Sequence, residues 1–158
     1  MTASAERQTY TARARVANKH PTLREVSLPG LATPLRVGFH PEVAEVYGIP
    51  PGSYDEAAAT YDYLVGAVAG CLTGVLSGML EARGMSTGDD RLTAEATAQS
   101  EWRDRVLRVT SIHVHYAVRA GDANPDVVER VHEQHVRRCS MAQSVAGAIE
   151  VTTSYELS

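Results

Sequence analysis

The chain has 158 residues, of which 44% are hydrophobic and 22% charged, with a formal charge of −4 and a pI near 5.8. That length suits one domain with a sizeable core and is short for two. The acidic balance, with no Lys/Arg cluster beyond Arg137–Arg138, argues against a nucleic-acid surface.

The N-terminal "MTASAERQTY" lacks the apolar run of a secretory signal, so a reducing cytoplasm is the expected compartment. Residues 8–17 alternate, with Tyr10, Ala12, Ala14 and Val16 opposite Thr11, Arg13 and Arg15, which predicts a half-buried strand. "NKHP" at 18–21 reads as a turn, and 23–28 as a second strand closed by Pro29-Gly30. Residues 34–40 alternate again, which gives an antiparallel meander. Pro50, Pro51 and Gly52 break regular structure, so 41–59 reads as a loop with at most a short helical turn.

A long apolar helix is predicted over about 60–83, stopped by Gly84. Two strands follow, "RLTAEATAQSEW" and "RVLRVTSIHVHYAVRA", joined through 103–105. In the second, Ile112, Val114, Tyr116 and Val118 face the core. Asn124 and Pro125 then suit a helix start, with Val127, Val128, Val131 and His135 as the apolar stripe. That helix is expected to end near Cys139, with Ser140 capping a short second helix. A last strand closes the chain at 149–157. The order predicts an α+β fold, a mostly antiparallel arrangement and one domain over 1–158.

In "YLVGAVAGCLTGVLSGML", residues 63–80, Gly66, Gly70, Gly74 and Gly78 recur every fourth position. The run is slightly shorter than the ~20 apolar residues of a span and lacks a basic flank, so it reads as a core helix and not a membrane anchor. Four interior glycines cost ~4 kcal/mol relative to alanine, which close backbone approach must offset. A helix apolar on every side must be buried on every side. One small sheet cannot cover it, which favours a dimer.

Cys71 and Cys139 are the only cysteines. They read either as inert buried thiols or as a redox pair, a thiolate and a resolving partner. A buried thiolate needs a nearby cation, and arginine suits because it is always charged. A carboxylate could hold that guanidinium. Asp62 precedes Cys71 by nine residues, about 14 Å of rise on the opposite helix face. On one straight helix it therefore cannot touch its own Cys71.

"TYDYLVGAVAGCLTGVLSGMLEARGM" together with "CSMAQSV" and a final strand resembles the two cysteine motifs of the OsmC/Ohr family. The resemblance covers most of the chain from about residue 8. It implies an OsmC-like fold, antiparallel sheets packed on a long buried central helix, and an intertwined homodimer with sites at the interface. It implies thiol-dependent reduction of organic hydroperoxides without a cofactor, with a small dithiol or lipoyl reductant restoring the thiols. Cys71 falls on its peroxidatic position, Cys139 on its resolving position and Asp62 on its carboxylate position; in an alternative alignment Tyr61 takes the last place. The arginine is expected from the N-terminal strands, with Arg36 first and Arg15 or Arg24 as alternatives. Thr60 and Ser140 stand where the family has prolines. The other reading is the same dimer as a binding protein for a small apolar ligand, its thiols idle. His132 and His135, three apart, lack a third metal ligand. His113 and His115 suit a solvated or interface role, Trp102 suits packing, and no phosphate loop follows a strand.

Overall fold

The computed structural model describes residues 9–119, 121 and 125–158. The expected cap Asn124 lies outside the described residues. The chain forms two compact units, one up to Thr60 and one from Tyr61.

In the first unit, β1 (Arg15–His20), β2 (Leu23–Ser27) and β3 (Leu35–Val37) form an antiparallel sheet in that order. The first strand is displaced from the alternating segment at 8–17. Its pairing runs from Arg15 opposite Ser27 to His20 opposite Leu23, so β2 sets where β1 can hydrogen-bond. The turn contracts to Pro21 and Thr22, whose amide and hydroxyl approach His20 Nδ1 at 3.3 and 3.0 Å. Gly38 follows β3 at a close approach: a Cβ there would lie 2.9 Å from the Thr22 carbonyl oxygen and 3.2 Å from Ala57 Cβ. The expected helical turn is α1 (Pro41–Val46), opened by a proline that forgoes an amide the first turn leaves unpaired.

The second unit opens on α2 (Thr60–Glu81), as the apolar run requires. Arg83 and Gly84 amides bond back to Leu80 and Glu81, and Gly84 takes φ +78°, which makes it the expected stop. β4 (Leu92–Arg103) and β5 (Val106–Val118) form a long antiparallel hairpin. Its two-residue turn puts Asp104 and Arg105 at φ 51° and 64°, the positive pair that matches strand twist. α3 (Pro125–Arg138) and α4 (Ser140–Val145) return the chain to β6 (Glu150–Leu157). β6 pairs parallel with β5, because a helical crossover brings it back in the same direction.

Val68, Leu72, Leu76, Met79 and Leu80 line one side of α2. They form one cluster with Ile112, Val114, Tyr116 and Val118 of β5, the face expected from alternation, and with Val128 and Val131 of α3. Val109 joins this face although its sequence parity is wrong. Gln99 pairs with Ser111 and Ser100 with Val109, so Thr110 is an extra residue that resets the alternation.

The expectation that α2 is buried all round is not met within this chain. Gly66, Gly70, Gly74 and Gly78 are exposed, and among the described residues nothing lies within 4 Å of where their Cβ atoms would be. The helix is long and apolar enough to cross a membrane, and 33% of its most apolar window is buried.

His135 is fully buried. Its Nδ1 lies 2.6 Å from the His132 carbonyl oxygen, so Nδ1 carries the proton, and Nε2 accepts from the Tyr116 hydroxyl at 3.0 Å. Burial lowers the pKa of both His132 and His135 below the ordinary 6.5. The folded state therefore resists protons that the unfolded chain binds below that value. Thermal melts should show the melting temperature falling as pH drops below about 6.5, and His135→Gln should reduce that slope; an unchanged slope in the variant would remove His135 from the account.

Candidate active site

Cys71 lies on α2 immediately before the buried Leu72 and is itself half-buried. Its position follows from the helix period: the stripe at 68, 72 and 76 turns residue 71 to the edge of the packed face. Cys139 is 0% exposed and joins the core cluster. It ends the backbone of α3 with φ −83° and ψ 114°, and its Sγ accepts from the Ala142 amide at 3.4 Å. Cys139, not Ser140, is thus the cap of α4; Ser140 is its first residue.

The structure brings the two thiols together. Ser140 Oγ, one residue beyond Cys139, lies 3.6 Å from Cys71 Sγ, and the Cys139 thiol is near enough to shift the Cys71 pKa. Burial pushes the Cys71 thiol upward, but hydrogen bonds from the Met141 backbone, from Cys139 and from Ser140 outweigh it, and the net direction is down. For Cys139 burial dominates and its pKa is raised; the backbone at Ala142 opposes this, while the charge on Cys71 adds to it. Cys71 is therefore the readier of the two thiols to ionise, and Cys139 the readier to hold its proton. Burial above all raises the Tyr116 phenol, which stays a neutral donor to His135.

The other expected site residues lie elsewhere in their units. Arg36 is exposed on β3, in register with Glu25. Arg15 begins β1, and Arg24 on β2 donates to the Pro21 carbonyl at 3.2 Å. Asp62 sits in the first turn of α2, and the helix is continuous to Cys71, so the two remain about 14 Å apart along the axis. With Tyr61, Val65 and Ala96, Asp62 lines a groove of ≈ 470 Å³ between α2 and β4. Tyr61 donates to the Leu107 carbonyl at 3.4 Å, a structural bond.

His113 contacts the Thr152 and Ser154 hydroxyls, and His115 that of Ser154, each at 2.8 Å. These bonds tie β5 to β6. Among the described residues, no group of three or more His, Cys, Asp or Glu is placed to share a metal. Ser140 is the site residue that sequence reasoning missed as a contributor; it stood out only as a departure from a motif.

The OsmC-like protein family profile matches residues 53–154. The chain therefore belongs to the OsmC-like protein family. No curated protein matches the sequence. Among solved structures, an OsmC-like protein of unknown function from Vibrio cholerae is 18% identical, with a TM-score of 0.76 over 94% of this chain and 100% of that one. An organic hydroperoxide resistance protein OsmC from Legionella pneumophila is 12% identical, with a TM-score of 0.70 over 95% and 99%. The organic hydroperoxide resistance protein OhrB of Bacillus subtilis is 10% identical, with a TM-score of 0.62 over 93% and 98%. At such identities the likeness establishes the fold.

The opposed directions of the two thiols predict an order of reaction. Iodoacetamide at pH 7, followed by peptide mass mapping, should alkylate Cys71 first and spare Cys139 until the protein is denatured; preferential labelling of Cys139 would invert the assignment.

Proposed function

We propose that the protein is a thiol peroxidase that reduces organic hydroperoxides, with Cys71 as nucleophile and Cys139 as resolving thiol. The observation that carries this reading is that the half-exposed Cys71 sulfur lies 3.6 Å from the hydroxyl of Ser140, the residue next to the buried Cys139, with the two thiols' pKa values pushed in opposite directions. Two inert core cysteines would both be pushed toward the protonated form by burial. Family membership and the hydroperoxide-resistance names of structural neighbours support the substrate class.

The Cys71 thiolate attacks the hydroxyl-bearing oxygen of the peroxide. The O–O bond breaks, its electron pair leaves on the alkoxide, and Cys71 becomes a sulfenic acid. The neutral Cys139 thiol is the nearby proton source that converts alkoxide to alcohol. Its thiolate then attacks the sulfenic sulfur, forming the disulfide as the S–O bond breaks and the hydroxide leaves as water after gaining a proton. One hydroperoxide and two thiols thus give one alcohol, one water and one disulfide. A small dithiol or lipoyl reductant reopens the disulfide by thiol exchange. In this reading no cofactor takes part, Arg36 supplies cationic support to the thiolate, Asp62 orients a guanidinium, and the protein works in the cytoplasm.

We also infer a homodimer. The open glycine row of α2 edges a groove of ≈ 530 Å³ with Ala69, Thr73 and Ser77. A glycine row that costs helix stability and meets nothing within 4 Å among the described residues fits a second copy pressed against it.

Cumene hydroperoxide added to the reduced protein should consume two thiols with a mass loss of about 2 Da, the two hydrogens removed when a disulfide closes. Cys71→Ser should abolish turnover, and Cys139→Ser should leave a sulfenic acid that dimedone labels. Arg36→Ala should slow the first step, leaving the second intact. Unchanged thiols in the parent protein would sink the peroxidase and favour the ligand-binding reading.

The dimer is checked by light scattering after size exclusion. The parent should elute as a dimer and Gly74→Leu as a monomer, since the new side chain has room within its own chain; a monomeric parent would refute the assembly.

A further inference from the structure

The Cys71 sulfur has a hydroxyl beside it that the peroxidase chemistry above does not use. Ser140 is exposed, opens α4, and follows directly on the buried Cys139 that caps that helix. Its Oγ reaches back to Cys71 Sγ at 3.6 Å, across 69 residues of sequence. Sulfur is larger than oxygen, so this separation is a hydrogen-bonding one for a thiol or thiolate.

The direction of that bond depends on the sulfur's charge. A neutral thiol and a hydroxyl can each donate to the other. A thiolate has no hydrogen, so the hydroxyl must donate, and a bond to a charged acceptor is the stronger kind. The hydroxyl thereby favours the ionised form of Cys71 over the neutral one.

We infer that Ser140 is a catalytic residue that holds Cys71 as the reactive thiolate through its side-chain hydroxyl, within the second unit itself. The lowered pKa of Cys71 agrees with this. The arrangement also places the two sulfurs in different surroundings. Cys139 Sγ is engaged with the Ala142 amide, in the core, whereas Ser140 is exposed and its hydroxyl reaches Cys71. Adjacent residues of one short segment therefore give the two sulfurs different work. Cys139 supplies the second thiol, and its neighbour supplies a hydroxyl that favours the ionised form of the first.

The inference deepens the proposed peroxidase but concerns ionisation alone, so its test does not require turnover. The rate of Cys71 alkylation by iodoacetamide is measured against pH by peptide mass mapping, for the parent protein, Ser140→Ala and Ser140→Thr, with circular dichroism to verify the fold. Ser140→Ala should move the titration midpoint of Cys71 upward and slow alkylation at pH 7 by about tenfold, the loss of one charge-assisted hydrogen bond. Ser140→Thr, which keeps the hydroxyl, should restore the parent profile. An unmoved midpoint in Ser140→Ala, or an equal displacement in both variants, would overturn the role. If Ser140→Ala displaces the titration while the parent fails to reduce cumene hydroperoxide, the peroxidase reading falls and the Ser140 assignment stands.

Discussion

The second unit depends on one packing constraint: the stripe of α2 formed by Val68, Leu72 and Leu76 must be buried with the core face of β5 and with α3. All three side chains are at most 1% exposed. Burying side chains of this size contributes about 1.5–3 kcal/mol each, so the rotation of α2 about its axis is strongly fixed. That rotation carries Cys71 to the edge of the stripe, within reach of sulfur and hydroxyl groups from the α3–α4 junction. The chemistry of the pair is a by-product of where the hydrophobic contact stops.

The junction shows how a site can be made from ordinary local structure. Cys139 satisfies the Ala142 amide in the way a serine or aspartate usually does. Capping with sulfur keeps a thiol at 0% exposure without leaving a helix amide orphaned. Burial and the neighbouring charge then keep that thiol protonated, while the half-exposed partner gathers hydrogen bonds that favour its ionised form. Two chemically identical side chains acquire complementary states because one faces the core and the other its margin.

Much of the fold could be read from the residues. The apolar run with Gly84 beyond it located α2, and the alternation of Ile112, Val114, Tyr116 and Val118 located the core face of β5. The boundaries moved where pairing partners decide them. β1 starts at Arg15 because β2 ends at Ser27, and no property of residues 9–14 encodes that limit. The bulge at Thr110 brought Val109 inward against its parity. The interstrand bonds of His113 and His115 needed Thr152 and Ser154, some forty residues away.

The residues alone determined that there is one long apolar helix, that it carries one thiol, and that the second thiol lies where a later helix breaks. These are statements about period and local propensity, which act within a few residues. Tertiary structure decided that the Ser140 hydroxyl beside Cys139 meets the Cys71 sulfur and that β6 runs parallel to β5. It also decided that the glycine row stays open among the described residues. Such outcomes depend on which distant segments share a core, and the burial of many side chains at once settles that, not any single motif.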